Sequence, residues 1–239
     1  MDWNGREEYM PHILGLQKLT LLDFPEHTAC TVFLGGCNFR CPFCHNRSLV
    51  INPDFSAAIS EEEFFAFLNK RQGLLDGVCI TGGEPLLYPD LPDFIRRIRA
   101  LGYRVKLDTN GSMPERLRSL LESNMVDYVA MDIKNSPARY AETVGIESFD
   151  IEPVKESIAL LLSGIVPYEF RTTLVREFHT PQDMVEIGKW IQGAKRYFLQ
   201  SFKDSGDLIS PGLSGLTESE TETFLELLKP FVPSASIRG

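Results

Sequence analysis

The chain has 239 residues, 43% hydrophobic and 24% charged, with a net charge of −9 and a sequence pI near 5.0. That balance suits a soluble globular chain able to bury its own core, and it argues against a nucleic-acid partner, which would call for a basic face. The acidic start MDWNGREEYM lacks the basic and apolar regions of a secretory leader, and apolar runs such as IALLL at 158–162 are too short to span a bilayer, so a cytoplasmic protein with no membrane partner is expected.

Strand-like and helix-like segments alternate along the chain. ACTVFL (29–34) is a short apolar run, followed by a cysteine-rich loop. Ser60 and Glu63 form a capping signature for a helix whose buried face is Phe64, Phe65 and Leu68. GVCIT (77–81) reads as a buried strand ending at Gly82-Gly83, and Leu91, Phe94, Ile95, Ile98 and Leu101 then recur at helical spacing. Strand patterns follow at 103–109, 127–133, 168–175 and 196–202. Between them lie helix patterns on Leu117, Leu120 and Leu121, on Val154, Ile158, Leu161 and Leu162, and on Met184, Ile187 and Ile191, the last capped by Thr180 and Asp183 with Pro181 in its first turn. The Gly/Ser-rich stretch 204–215 reads as a loop, followed by a helix near 217–228 and a short extended end.

Six β–α units in succession imply parallel strands with helices outside. Six is short of eight, so the expected fold is α/β, a partial (β/α)6 TIM-like barrel. One domain is expected over 1–239, its core at about 28–203. The polar and glycine motifs fall where strands end, which is where parallel α/β folds hold their ligands. They are the cysteine loop, Gly82-Gly83-Glu84, Asp108 and Asp132.

The loop GGCNFRCPFCHN (35–46) carries Cys37, Cys41 and Cys44 at C-x3-C-x2-C spacing. Three thiolates can grip three corners of a 4Fe–4S cluster and leave the fourth iron without a ligand from the loop. A zinc site completed by a distant histidine is the alternative. Cys30 and Cys79 fall inside strands, where a cysteine is commonly a small buried hydrophobe. Asp108 and Asp132 can accept ribose hydroxyls or hold a cation, or else serve as turn and capping residues. Arg171 lies in a strand, where it needs a partner: an anionic ligand, or a carboxylate such as Glu169. His12, His27 and His179 are read as surface or loop residues.

With Phe43 before the last cysteine, the loop resembles that of the radical S-adenosylmethionine superfamily. The resemblance implies a single 4Fe–4S cluster on Cys37, Cys41 and Cys44, and S-adenosylmethionine on the open iron, cleaved by one electron to a 5′-deoxyadenosyl radical. ITGGEP (80–85), VKLDTNG (105–111), VDYVAMDIK (126–134), YEFRTT (168–173) and GLQKLTLLDFP (15–25) together resemble the activating proteins of anaerobic ribonucleoside-triphosphate reductase, with Glu26 where a glycine is expected. Cofactor contacts are thereby implied for Phe43, Cys44, His45, Gly82, Gly83, Glu84, Asp108, Asp132, Ile133, Lys134 and Arg171. A monovalent cation near Asp108 and Asp132 is also implied. The implied partners are a glycyl radical enzyme and a one-electron donor such as flavodoxin or ferredoxin. The second reading is a superfamily enzyme acting on a small molecule, such as a 7-carboxy-7-deazaguanine synthase; a non-enzymatic metal-binding or electron-transfer protein is the third.

Overall fold

The computed structural model describes residues 10–204 and 206–238. The acidic start over residues 1–9, read above for a leader, lies outside the described residues. The strands are β1 Ile13–Thr20, β2 Ala29–Leu34, β3 Gly77–Gly82, β4 Arg104–Thr109, β5 Tyr128–Asp132, β6 Tyr168–Leu174, β7 Tyr197–Ser201 and β8 Ser236–Arg238. The helices are α1 Arg47–Val50, α2 Glu61–Arg71, α3 Leu91–Ala100, α4 Pro114–Glu122, α5 Tyr140–Val144, α6 Glu152–Leu162, α7 Pro181–Trp190 and α8 Glu218–Leu228. None is long and apolar enough to cross a membrane.

The chain divides into two compact units that interleave in sequence. Residues up to 38, 48–109 and 115–129 form the first; 39–47, 110–114 and the residues from 130 onward form the second. In the first unit β2, β3 and β4 pair in parallel, in chain order. Val78, Ile80, Val105 and Leu107 are fully buried, as strands covered on both faces require. Ser60 caps α2 by accepting the Glu63 amide at 3.1 Å, and Phe64 of α2 stacks on Phe94 of α3 at 5.4 Å between centroids. Each such ring, fully buried, contributes about 1.5–3 kcal/mol.

The first strand corrects the sequence reading. β1 precedes the six expected units and runs antiparallel to β2. Its signal is weak because Gln17, Lys18 and Leu19 are all exposed, and its pairing shifts register twice, so no clean alternation shows.

In the second unit β6, β7 and β8 pair in parallel, β8 being the extended end. Thr180 and Asp183 form a full capping box on α7, with Pro181 in the first turn; Thr217 and Glu220 do the same on α8. The short helices α1 and α5 have no sequence period long enough to announce them.

Candidate active site

In the first unit the glycines at the end of β3 stitch that strand to the approach of the cysteine loop. The Gly83 amide donates to Leu34 O and the Glu84 amide to Gly36 O, both at 2.8 Å. Gly82 has φ +122, and a Cβ on Gly83 would lie 1.8 Å from Gly36 O. Only glycine permits that approach. The Gly36 amide donates to Leu49 O at 2.7 Å and the Tyr88 hydroxyl to Gly35 O at 2.6 Å, so the backbone leading into Cys37 is held from three directions. The Glu84 carboxylate is buried and accepts from the Leu86 amide at 3.1 Å and the Thr109 hydroxyl at 2.8 Å. Its side chain therefore braces the turn.

Asp108, on β4, forms an ion pair with buried Lys106 two residues before it. Cys79 lies 3.8 Å from both the Lys106 ammonium and the Asp108 carboxylate. Cys79 is buried as expected, but it sits among charges and not in an apolar core. Cys30 fits the apolar reading: burial pushes its thiol up to about 12.

In the second unit the rest of the cysteine loop rests on the segment around α5. The Arg40 amide donates to Val144 O at 2.8 Å, and Gly145 ends α5 at φ +70, where a Cβ would meet Arg40 O at 2.5 Å. Phe39 is buried edge-on against Phe149 and Tyr140. The Cys44 amide closes a turn on Cys41 O at 3.0 Å, and the Ser210 amide reaches Pro42 O at 2.9 Å. The segment around Ser210 is thereby tied to the cysteine loop. Phe43 is buried against Phe178 and His179. His45 stacks on Phe202, and partial desolvation of the ring together with the Lys134 charge lowers its pKa.

Asp132, Lys134 and Arg171 come together where β5 ends beside the middle of β6. Arg171 Nε donates to Asp132 Oδ1 at 2.9 Å and Lys134 Nζ to Asp132 Oδ2 at 3.0 Å. Burial works to raise the Asp132 carboxyl, but the two cations outweigh it and hold it well below the ordinary carboxylate range. Burial likewise works against the Lys134 ammonium, and Asp132 together with Cys41 holds its pKa above the usual lysine value. The Ile133 amide donates to Arg171 O at 2.8 Å, fixing the two strands together. The sequence alternative for Arg171 is corrected: its carboxylate is Asp132, while Glu169 takes Arg238 of β8 at 2.8 and 3.1 Å.

His179 lies in a loop, as expected, but not at the surface. It is buried, with Nε2 donating to Lys134 O at 2.9 Å and Nδ1 accepting the Val175 amide at 3.1 Å. His179→Leu leaves both backbone groups without that partner. The expected loss is about 2–4 kcal/mol in denaturant unfolding; an unchanged midpoint would contradict the anchoring role. Its sequence context, FHTP, reads as a loop, and nothing in it announces the contact with Lys134. Tyr88, Gly145, Phe178 and Ser210 went unnoticed for the same reason: each acts through backbone or ring contacts set by tertiary packing.

Residues 31–191 match the family model of the radical SAM superfamily. The chain belongs to the radical SAM superfamily. A candidate glycyl-radical enzyme activating enzyme of Methanocaldococcus jannaschii is 30% identical over 233 residues, covering 95% of each chain. The 7-carboxy-7-deazaguanine synthase of Koribacter versatilis is 32% identical over 149 residues, 61% of each chain. Among solved structures, a domain of pyruvate-formate lyase-activating enzyme from Bacteroides vulgatus superposes with a TM-score of 0.56 at 19% identity, over 68% of this chain and 99% of that one. At that identity the likeness speaks for the fold, and it bears out the expected parallel α/β architecture of the partial-barrel kind.

Radical SAM enzymes carry a 4Fe–4S cluster and S-adenosylmethionine, and the donor set here fits the cluster: three soft thiols in one loop whose backbone is fixed by the bonds above. Cys37 and Cys44 are half-buried and Cys41 is buried. The Lys134 ammonium couples electrostatically to Cys41, which favours the thiolate that metal binding requires.

Proposed function

We propose that this radical SAM enzyme installs a glycyl radical on a partner enzyme, of which anaerobic ribonucleoside-triphosphate reductase is the expected example. The observation that carries this reading is the extent of the match to the M. jannaschii relative. It runs over 95% of both chains, whereas the match to the deazaguanine synthase stops at 61%.

Cys37, Cys41 and Cys44 would hold the cluster, which would supply the electron for reductive cleavage of S-adenosylmethionine. The chain's own part is to bind and orient the cofactor and shield it from water. The family resemblance assigns cofactor contacts to backbone groups of Gly82, Gly83 and Glu84. Phe43 and His45 contribute aromatic walls beside Cys44. The resemblance likewise assigns Asp108, Asp132 and Ile133 to the cofactor, where a carboxylate would suit its polar groups. Lys134 and Arg171 bring positive charge suited to its carboxylate. The electron comes from a donor such as flavodoxin or ferredoxin.

Anaerobic reconstitution with iron and sulfide, followed by reductant and S-adenosylmethionine, tests the reading. The expected product is 5′-deoxyadenosine, at least about 100-fold reduced in Cys41→Ala. No cofactor cleavage by the reconstituted wild type would overturn it. The second reading, catalysis on a small molecule, is favoured by the 32% identity to the deazaguanine synthase. It requires consumption of a purine-like substrate with no partner protein present.

A further inference from the structure

Lys106 is used by nothing described so far. It sits on β4 in register with Cys79 of β3 and on the same face as Asp108. Its side chain is 2% exposed. Its ammonium contacts the Asp108 carboxylate and lies 3.8 Å from Cys79 Sγ. A lysine is rarely buried to this degree without an anionic partner, because removing the charge from water is costly. The fold therefore sets a buried ammonium against Asp108.

That placement bears on the monovalent cation expected at Asp108 and Asp132. An alkali ion at Asp108 would lie against the Lys106 ammonium in a poorly solvated site, where like charges repel strongly. Cys79, which also lies against Asp108, is a soft sulfur, whereas hard cations take oxygen ligands. In the second unit both Asp132 oxygens already accept from cations, Oδ1 from Arg171 and Oδ2 from Lys134. The residues present do not fit an added monovalent cation.

We propose that the Lys106 ammonium holds the place of a monovalent cation at Asp108, so that this chain binds S-adenosylmethionine without any alkali ion. The link to cofactor binding rests on the functional reading above; the displacement of the ion from Asp108 does not. Lys106 is in this role a positioning residue, holding the Asp108 carboxylate in an ion pair.

Two measurements on the reconstituted enzyme test it. Crystals soaked in thallium(I), a stand-in for potassium, should show no anomalous peak in coordinating contact with Asp108 in the wild type. A peak there overturns the proposal, whatever the variants do. Affinity for S-adenosylmethionine is then compared in potassium and in a bulky tetraalkylammonium salt at equal ionic strength. The wild type and Lys106→Arg should change by less than about twofold, and Lys106→Met should become potassium-dependent by about tenfold or more. A wild-type affinity that collapses without alkali ions overturns the proposal. A wild type with no affinity in either salt refutes the functional reading, and the thallium measurement still decides the cation question.

Discussion

Gly83→Ala should leave this enzyme with severalfold less iron–sulfur cluster after reconstitution. The added Cβ would stand 1.8 Å from Gly36 O and 2.5 Å from the carbonyl carbon, both backbone atoms that no rotamer change can move aside. Either the end of β3 or the 35–37 segment must retreat. Retreat breaks the bonds from the Gly83 amide to Leu34 O and from the Glu84 amide to Gly36 O. Two lost backbone bonds and the accompanying strain put the cost at about 3–5 kcal/mol. Gly36 adjoins Cys37, so the displacement falls on one of the three thiolates. Iron and sulfide per chain after reconstitution should drop severalfold, with a lowered unfolding midpoint. Gly102→Ala is the control: its φ is positive, at +91, so about 1–2 kcal/mol of backbone strain is expected, but nothing lies within 4 Å of the added carbon and the iron content should hold. A Gly83→Ala protein with full iron content would show that this contact does not position the cysteine loop.

Asp132→Asn has the second large effect. It withdraws the anion from two partly buried cations, Lys134 and Arg171, whose side chains are 20% and 14% exposed. Stranding buried charges costs about 3–5 kcal/mol in well-buried sites, and the residual exposure here lowers the expectation to about 2–4 kcal/mol. The pH dependence has a definite sign. The folded Asp132 carboxyl titrates below its unfolded value of about 3.9. Its contribution is therefore complete above that value and is lost as pH falls through the lower, folded one. Lys134 runs the other way: its folded value is raised, so its contribution is complete below the unfolded value of about 10.4 and is lost as pH rises through the folded one. Wild-type stability from this cluster is flat across neutral pH. Asp132→Asn should be less stable throughout that range and should show a shallower loss at both extremes. A wild-type midpoint and pH profile in the variant would mean that Asp132 does not balance these cations.

Much of this site was legible in the sequence because its parts have a chemical signature. Three cysteines in eight residues announce a soft-metal loop, and Gly82-Gly83 at a strand end announces a close approach; the approach turns out to be to Gly36. The strand and helix order followed from hydrophobic period, and the Thr180 and Ser60 caps from side-chain chemistry. What stayed hidden depends on which face a residue presents after folding. Lys106 reads as an ordinary strand lysine until the register places it beside Cys79 and Asp108. His179 reads as a loop residue until its ring is seen bridging Lys134 and Val175. Arg171 needed a carboxylate; Glu169, the near one, points to Arg238, and Asp132, distant in sequence, fills the role. β1 escaped because an edge strand with bulges and an exposed centre lacks the alternation that marks a half-buried strand.

The most direct test of the account is an electron paramagnetic resonance spectrum of the partner. The reconstituted enzyme, S-adenosylmethionine and reductant are incubated without oxygen with an anaerobic ribonucleoside-triphosphate reductase from the same cell. The account predicts the doublet of a glycyl radical on the reductase, absent when Cys41→Ala replaces the wild type or when S-adenosylmethionine is omitted. Vigorous release of 5′-deoxyadenosine with no radical on the reductase, or on any other glycyl radical enzyme of that cell, would contradict it.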